Sequence, residues 1–486
     1  MRLAIGAAIV LAVAGTASAA TTRKVPADYA SIQAAEDASV DGDTIQVARG
    51  RYILDATINV DVPNLIIKGS GAIIDGARPN LNDNTVDGFN VTGAGVTITG
   101  FTFRNGENGV YVNAANCAIL KCTFIDLDDI AVYANSGDGL RVEGCKFLGT
   151  YGTIEAYADN LRVLKNTVRG SDTYSIYVSG NGARLEGNTV TYSEDSDAIY
   201  ISGNNAVVLK NKVYNSDSYG IDISGNDAVV GSNTIKKIDQ TGIYVDGTNA
   251  VIEKNKFNLT DGVIECYGNG ADILGNKAVD FNADDGIEVE ADDMLVVGNS
   301  VTLGSNDADG FYLYSKTAAG SGTVENNKVV DVMDAGFYFG NNFFVGVTVR
   351  NCSVMNCGSE DESGFDIDGT NNFFEGLKVT NVDNKGFYVD GNGNEFVKCS
   401  VVNAYSDGFH VNSGDNNMFT DCTAAKCGGE GFDNRGGSSA PNATKLIGGK
   451  YRGDRNDVAN DTTGGAFITL TNVDKSTPGT PQSQVD

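Results

Sequence analysis

The chain has 486 residues, a formal net charge of −28, 61 Gly, 6 Pro and no Trp. A field that negative repels nucleic-acid phosphates and anionic membranes, so nucleic-acid partners are excluded, and a polyanionic sugar would need a bridging divalent cation. Length alone suggests several domains, but a short internal repeat points instead to one elongated unit.

Met1-Arg2-Leu3 leads into an apolar stretch from Ala4 to Ala14 and then small residues to Ala20. That order predicts a signal peptide over 1–20, cleaved near Ala19 or Ala20, and hence a secreted or periplasmic protein. No later segment approaches the ~20 apolar residues of a membrane-spanning helix, so no transmembrane segment is expected.

Residues 21–55 read as an N-terminal cap. A short helix is expected over 29–40 behind the capping residues Asp28 and Ser31, followed by the turn Asp41-Gly42-Asp43 and the strand Thr44-Ile45-Gln46-Val47.

Within a parallel β-helix expected to span 56–455, a unit of about 23 residues recurs from Gly88 to Phe432, in the period range of stacked solenoids. Its core reads Gly, apolar, polar, apolar, as in Gly220-Ile221-Asp222-Ile223, Gly242-Ile243-Tyr244-Val245, Gly310-Phe311-Tyr312-Leu313 and Gly408-Phe409-His410-Val411. Alternation with period two sends the apolar pair inward and the polar residue outward. One such strand cannot bury its pair alone; stacking coils about 4.8 Å apart gives parallel sheets around a continuous core. The expected fold is therefore all-β, a right-handed parallel β-helix solenoid of roughly seventeen coils with a short N-terminal capping helix. Residues 456–486 read as an irregular, disordered tail.

A second strand in each coil ends at Asn166, Asn188, Asn211, Asn233, Asn255, Asn276, Asn299 or Asn327, one repeat apart. Aligned amides at an inward bend can bond coil to coil and satisfy polar groups the bend would otherwise bury. Cys122, Cys145, Cys352, Cys399 and Cys422 take the same position, so a buried structural role is expected for them. Nine Cys is an odd count, which leaves at least one thiol without an intrachain partner.

The opening helix with its Asp41-Gly42-Asp43-Thr44-Ile45 strand resembles the start of secreted members of the pectin-lyase-like right-handed parallel β-helix superfamily. The later units resemble its generic β-helix repeats, also found in the periplasmic maturation protein NosD. The resemblance covers nearly the whole mature chain and implies the fold; the superfamily includes lyases, hydrolases, epimerases and adhesins, so it does not select an activity.

Candidate site residues follow from the outward column. Tyr177, Tyr200, Tyr244, Tyr312, Tyr338 and Tyr388 offer flat rings with polar tips suited to sugars, whereas their β propensity and mutual stacking would equally serve the sheet alone. Asp222, Asp284, Asp285, Glu288 and Glu290 gather hard oxygen ligands; Ca2+ is the cofactor they would suit, and a solvated acidic face is the simpler alternative.

Asp366 and Asp368 share one strand face about 6.6 Å apart, with Asp390 beside Asp368 one coil on, His410 two coils after Asp366, and Arg435 beyond. Carboxylates so spaced suit acid–base attack on a glycosidic bond, and His410, the single histidine, could shuttle protons. The layout is similar to that of polygalacturonase-type β-helix hydrolases, but their Asn-Thr-Asp, Asp-Asp, Gly-His-Gly and Arg-Ile-Lys motifs are replaced here by Phe365-Asp366-Ile367-Asp368, Tyr388-Val389-Asp390 and Phe409-His410-Val411.

Two functions are consistent with these residues. One is a secreted, monomeric solenoid that binds polysaccharide or a cell-surface glycan on its Tyr/acid face and acts as a glycoside hydrolase or epimerase. The other is a non-catalytic extracellular surface, adhesion or matrix protein.

Overall fold

A computed structural model describes residues 20–76, 86–282, 285–306, 308–317, 321–340, 344–358, 362–460 and 467–474. The segment read as a signal peptide up to Ala19, Asp284 and the residues beyond Asp474 lie outside them.

Each coil lays down three short strands, one in each of three parallel sheets. In a typical coil these are Ile176–Val178, Arg184–Glu186 and Thr189–Ser193, and the next coil repeats them at Ile199–Ile201, Val207–Leu209 and Lys212–Ser216. Pairing runs coil to coil in strict register, Ile176 against Ile199, Leu185 against Val208 and Val190 against Val213. Among the described residues the second sheet has 20 strands, from Thr22–Val25 to Ile468–Thr471. The ladder thus extends on both sides of 56–455, into the stretches read as cap and tail. The helix of the cap region is shorter than expected, Ile32–Asp37, with the Ser31 hydroxyl accepting the Ala34 N–H at 3.1 Å. Among the described residues, no helix is long and apolar enough to cross a membrane.

The inward pair of the first sheet changes character along the axis. Ile and Val fill it around Ile199 to Val245, and Phe takes over from Phe311. Phe311, Phe337, Phe365, Phe387 and Phe409 form a column with ring centroids 4.6 to 5.0 Å apart. Each ring is fully buried and stabilises by about 2–3 kcal/mol through area removed from water.

The chain turns sharply between the second and third sheets because the residue before each ladder Asn is left-handed, as at Lys210 (φ 56°), Ser232 (φ 58°) and Lys254 (φ 56°). That bend strands a buried backbone N–H, and the next coil satisfies it. Asn211 donates its backbone N–H and its amide to Oδ1 of Asn233 at 2.8 and 3.2 Å, and the amide also reaches the Leu185 carbonyl at 2.9 Å. The ladder runs from Asn166 to Asn327, and cysteines continue it: Cys145 donates its N–H to Asn166 Oδ1 at 2.8 Å, and Cys122 donates to Cys145 Sγ at 3.4 Å. All nine cysteines are buried free thiols. A second ladder, Asn372, Asn394 and Asn417, forms at the bend between the first and second sheets, which the sequence reading had not separated from the turns.

At that same bend the coils approach so closely that only glycine fits. A Cβ on Gly225 would stand 2.1 Å from the Gly203 carbonyl oxygen. This contact fixes the rise of each coil and hence the alignment of the first sheet's outer face.

Candidate functional site

Register on the first sheet places Tyr177, Tyr200, Asp222, Tyr244, Glu265, Glu288, Tyr312, Tyr338, Asp366, Tyr388, His410 and Asp433 in one continuous outer row. Glu265 lies in that row with no offset in pairing. Residues two places later share the same face and form a flanking row that includes Tyr267, Glu290, Tyr314, Asp368 and Asp390.

The tyrosines stack on one another. Tyr177 and Tyr200 lie 5.3 Å apart at 18°, and Tyr312 and Tyr338 lie 4.9 Å apart at 13°. Their ring faces are therefore turned along the ladder toward neighbouring rungs. What they offer outward is ring edges and hydroxyls, which matches the mutual stacking of the two expectations and not the open flat faces.

The candidate Ca2+ ligands are not all brought together: Glu288 and Glu290 meet at the Tyr314 hydroxyl, but Asp222 does not join them. Asp222 stands three rungs from Glu288, with Tyr244 and Glu265 between them, a separation of about 14 Å. Glu288 lies within hydrogen-bond distance of the Tyr267 and Tyr314 hydroxyls, at 3.0 and 3.1 Å, and Glu290 of the Tyr314 hydroxyl at 3.1 Å. Asp285 Oδ1 accepts the backbone N–H of Asp309 at 3.0 Å. These acids are thus tied into the sheet's own polar network. Burial, followed by the charges of Asp197 and Asp246, pushes Asp222 up to about 7.

Asp366, Asp368 and Asp390 do converge. Asp366 is 8% exposed. Burial first, then the charges of Asp368, Glu362 and Asp390, pushes its carboxyl up to about 8, opposed by Lys385. Burial also raises Asp368, although its Oδ2 accepts the Tyr338 hydroxyl at 3.0 Å. Asp390 accepts from the Asn412 amide at 3.4 Å and from the Ser413 hydroxyl. At neutral pH the arrangement holds a protonated acid beside further carboxylates, the pairing that acid–base chemistry requires.

His410 sits in the outer row but is 3% exposed. Its Nδ1 lies 3.0 Å from Asp407 Oδ2 and 3.2 Å from Asp433 Oδ2, and its ring stacks on Tyr388 at 5.6 Å and 7°. Arg435 Nε donates to Asp433 Oδ2 at 3.1 Å. Burial disfavours the imidazolium, but the hydrogen bonds and charges of Asp407 and Asp433 outweigh it and raise the His410 pKa. Asp366 and His410 are two rungs apart, so the five expected catalytic residues fall into two separate groups.

Sequence reading missed Asp407. The signal was there: it precedes its Gly-apolar-polar-apolar unit by one residue, as Asp197, Asp285 and Asp309 do theirs. It also missed a cleft of about 1020 Å³ lined by Asp331, Met333, Asn356, Asp383, Tyr405 and Ser406, where Tyr405 is 81% exposed and Ser406 directly precedes Asp407 in the chain.

The family profile described as "Right handed beta helix region" matches residues 64–196, 197–358 and 285–445. The chain belongs to this family. None of the curated proteins compared with it matches. Among solved structures, a PL6 alginate lyase in complex with a trisaccharide is 16% identical at TM-score 0.43, covering 76% of this chain and 86% of that one. DFA-IIIase from Arthrobacter chlorophenolicus A6 in complex with DFA-III is 13% identical at TM-score 0.39, covering 62% and 89%. A mutant of the periplasmic alginate epimerase AlgG is 12% identical at TM-score 0.35, covering 68% and 83%.

Proposed function

We propose that this secreted β-helix protein binds a glycan on the outer face of its first sheet, from Tyr312 to Arg435 and into the adjoining cleft, and processes it by acid–base chemistry of the hydrolase or epimerase kind. The observation that carries the reading is the grouping of Asp366, a buried carboxyl, with Asp368 two residues on and Asp390 on the next rung, where burial pushes the Asp366 carboxyl up to about 8. Asp366 acts as the general acid, and Asp368 or Asp390 activates water or takes a proton. Edge-on hydroxyls of Tyr312, Tyr338 and Tyr388 hold sugar hydroxyls, while the exposed Tyr405 ring supplies a flat face in the cleft. With a net charge of −28, a neutral glycan is the better-matched ligand.

A screen of purified neutral and acidic polysaccharides tests this. Binding of a neutral glycan is expected, weakened about tenfold by Tyr405→Ala, with turnover abolished by Asp366→Asn or Asp390→Asn while binding stays within a few fold. If no polysaccharide in the panel binds, the second reading stands, that of a non-catalytic surface or matrix rod. That reading draws on the Tyr267, Tyr314, Glu288 and Glu290 network, in which hydroxyls and carboxylates satisfy one another within the sheet.

A further inference from the structure

The group around His410 lies outside the acid trio and has a chemistry of its own. Asp407 Oδ2, His410 Nδ1 and Asp433 Oδ2 lie within 4.8 Å of one another, and all three residues are buried. We propose that they form a binding site for one divalent transition-metal ion, of the Zn2+ or Mn2+ class.

The geometry carries this in three steps. First, two carboxylate oxygens converge on a single ring nitrogen, at 3.0 and 3.2 Å. That nitrogen bears at most one hydrogen, which the two oxygens must share in a three-centre bond weaker to each, whereas a cation at their common focus is bonded fully by all three. Ligand atoms about 3.0–3.3 Å apart are the edges of a tetrahedron or octahedron whose metal–ligand bonds are about 2.0–2.2 Å.

Second, the donor set selects the ion. One imidazole nitrogen with two carboxylate oxygens suits Zn2+, Mn2+ or Fe2+; Ca2+ asks for six to eight oxygens, and Cu+ for sulfur. The incomplete set leaves positions for water or a sugar hydroxyl.

Third, the ligands are held by the fold and not by the ion. Asp407 and His410 come from one coil and Asp433 from the next rung, in register with His410. The backbone N–H of Glu430 holds Asp407 Oδ1 at 2.8 Å, which leaves Oδ2 facing the ring. Tyr388 supports the imidazole from the rung before. Arg435 Nε, 3.1 Å from Asp433 Oδ2, shares that oxygen, and its side chain is 53% exposed.

The test uses the full chain stripped with EDTA and dialysed. Titration calorimetry with ZnCl2, together with metal analysis after gel filtration, should give one tightly held Zn2+ per chain, unaffected by excess CaCl2. Co2+ in place of Zn2+ should show visible d–d absorption with the intensity of a nitrogen/oxygen-ligated site. His410→Gln and Asp433→Asn should each weaken binding at least 100-fold, while Asp222→Asn, which removes an acid three rungs from Glu288 and remote from the site, should leave it unchanged. Two ligand variants guard against one misfolding, and far-UV circular dichroism checks each. The proposal is overturned if Zn2+ does not bind, if several weak ions bind and all variants retain them, or if a folded His410→Gln protein binds like the wild type. None of these outcomes bears on turnover, so the glycan reading is tested separately.

Discussion

Replacing Asp366 by Asn should stabilise the protein above neutral pH and leave it nearly unchanged near pH 4. The carboxyl titrates at about 8 in the folded chain against an ordinary value of 3.8. Between those values the unfolded chain has released the proton that the folded chain keeps. Stability from this group is therefore complete below pH 3.8 and falls by about 1.4 kcal/mol per pH unit until the folded carboxyl ionises near 8. The ceiling is about 6 kcal/mol, and water entry and local relaxation should reduce the measured difference to about 2–4 kcal/mol. Glu362, Asp368, Asp390 and Lys385 act on Asp366 in the wild type and remain in the variant, so the difference isolates one group. Because a solenoid can unfold coil by coil, the assay is native-state hydrogen exchange at Phe365–Ile367 and Phe387–Val389 alongside urea midpoints at pH 4, 6 and 8.5. A difference that stays flat across this range, or an Asp366→Asn protein less stable at pH 8.5, would refute the reasoning.

Two further outcomes follow from the ladder and the thiols. Asn233→Ala removes the amide that reaches the Val208 carbonyl at 2.9 Å and strands the Asn211 N–H, which now bonds at 2.8 Å; a loss of about 3–5 kcal/mol in local stability is expected by hydrogen exchange, and a loss under 1 kcal/mol would deny the ladder its role. Asn233→Cys should recover part of that loss, as Cys145 already accepts the Cys122 N–H in the same position. A thiol reagent should find no reactive cysteine in the native protein and nine after denaturation; fewer than nine would show that disulfides form in place of the free thiols.

The inward and outward assignment of each strand could be read from the chain because alternation has period two and one face must be dry. Ile221 and Ile223 point in and Asp222 out on that ground alone, and the same rule found the outer row, while spacing by one repeat found the Asn ladder. It could not give the neighbours of a side chain across the turn. Asp407 escaped notice because it stands outside the alternating unit, three residues before His410, and is turned onto that ring by the bend. The choice between open and stacked tyrosine faces could not be made from sequence for a related reason: a period locates a side chain on a surface but says nothing of its tilt, and rungs this close favour face-to-face stacking.

Sequence alone therefore determined the solenoid, its repeat of about 23 residues and the identity of the residues on its outer ridge, since repetition makes every local choice a global one; the division of each coil among three sheets came from the structure. Only the tertiary structure decided which of those acids act together. Spacing in number translates into rungs, and rungs about 4.8 Å apart separate Asp222 from Glu288 while bringing Asp407, His410 and Asp433 to a single focus.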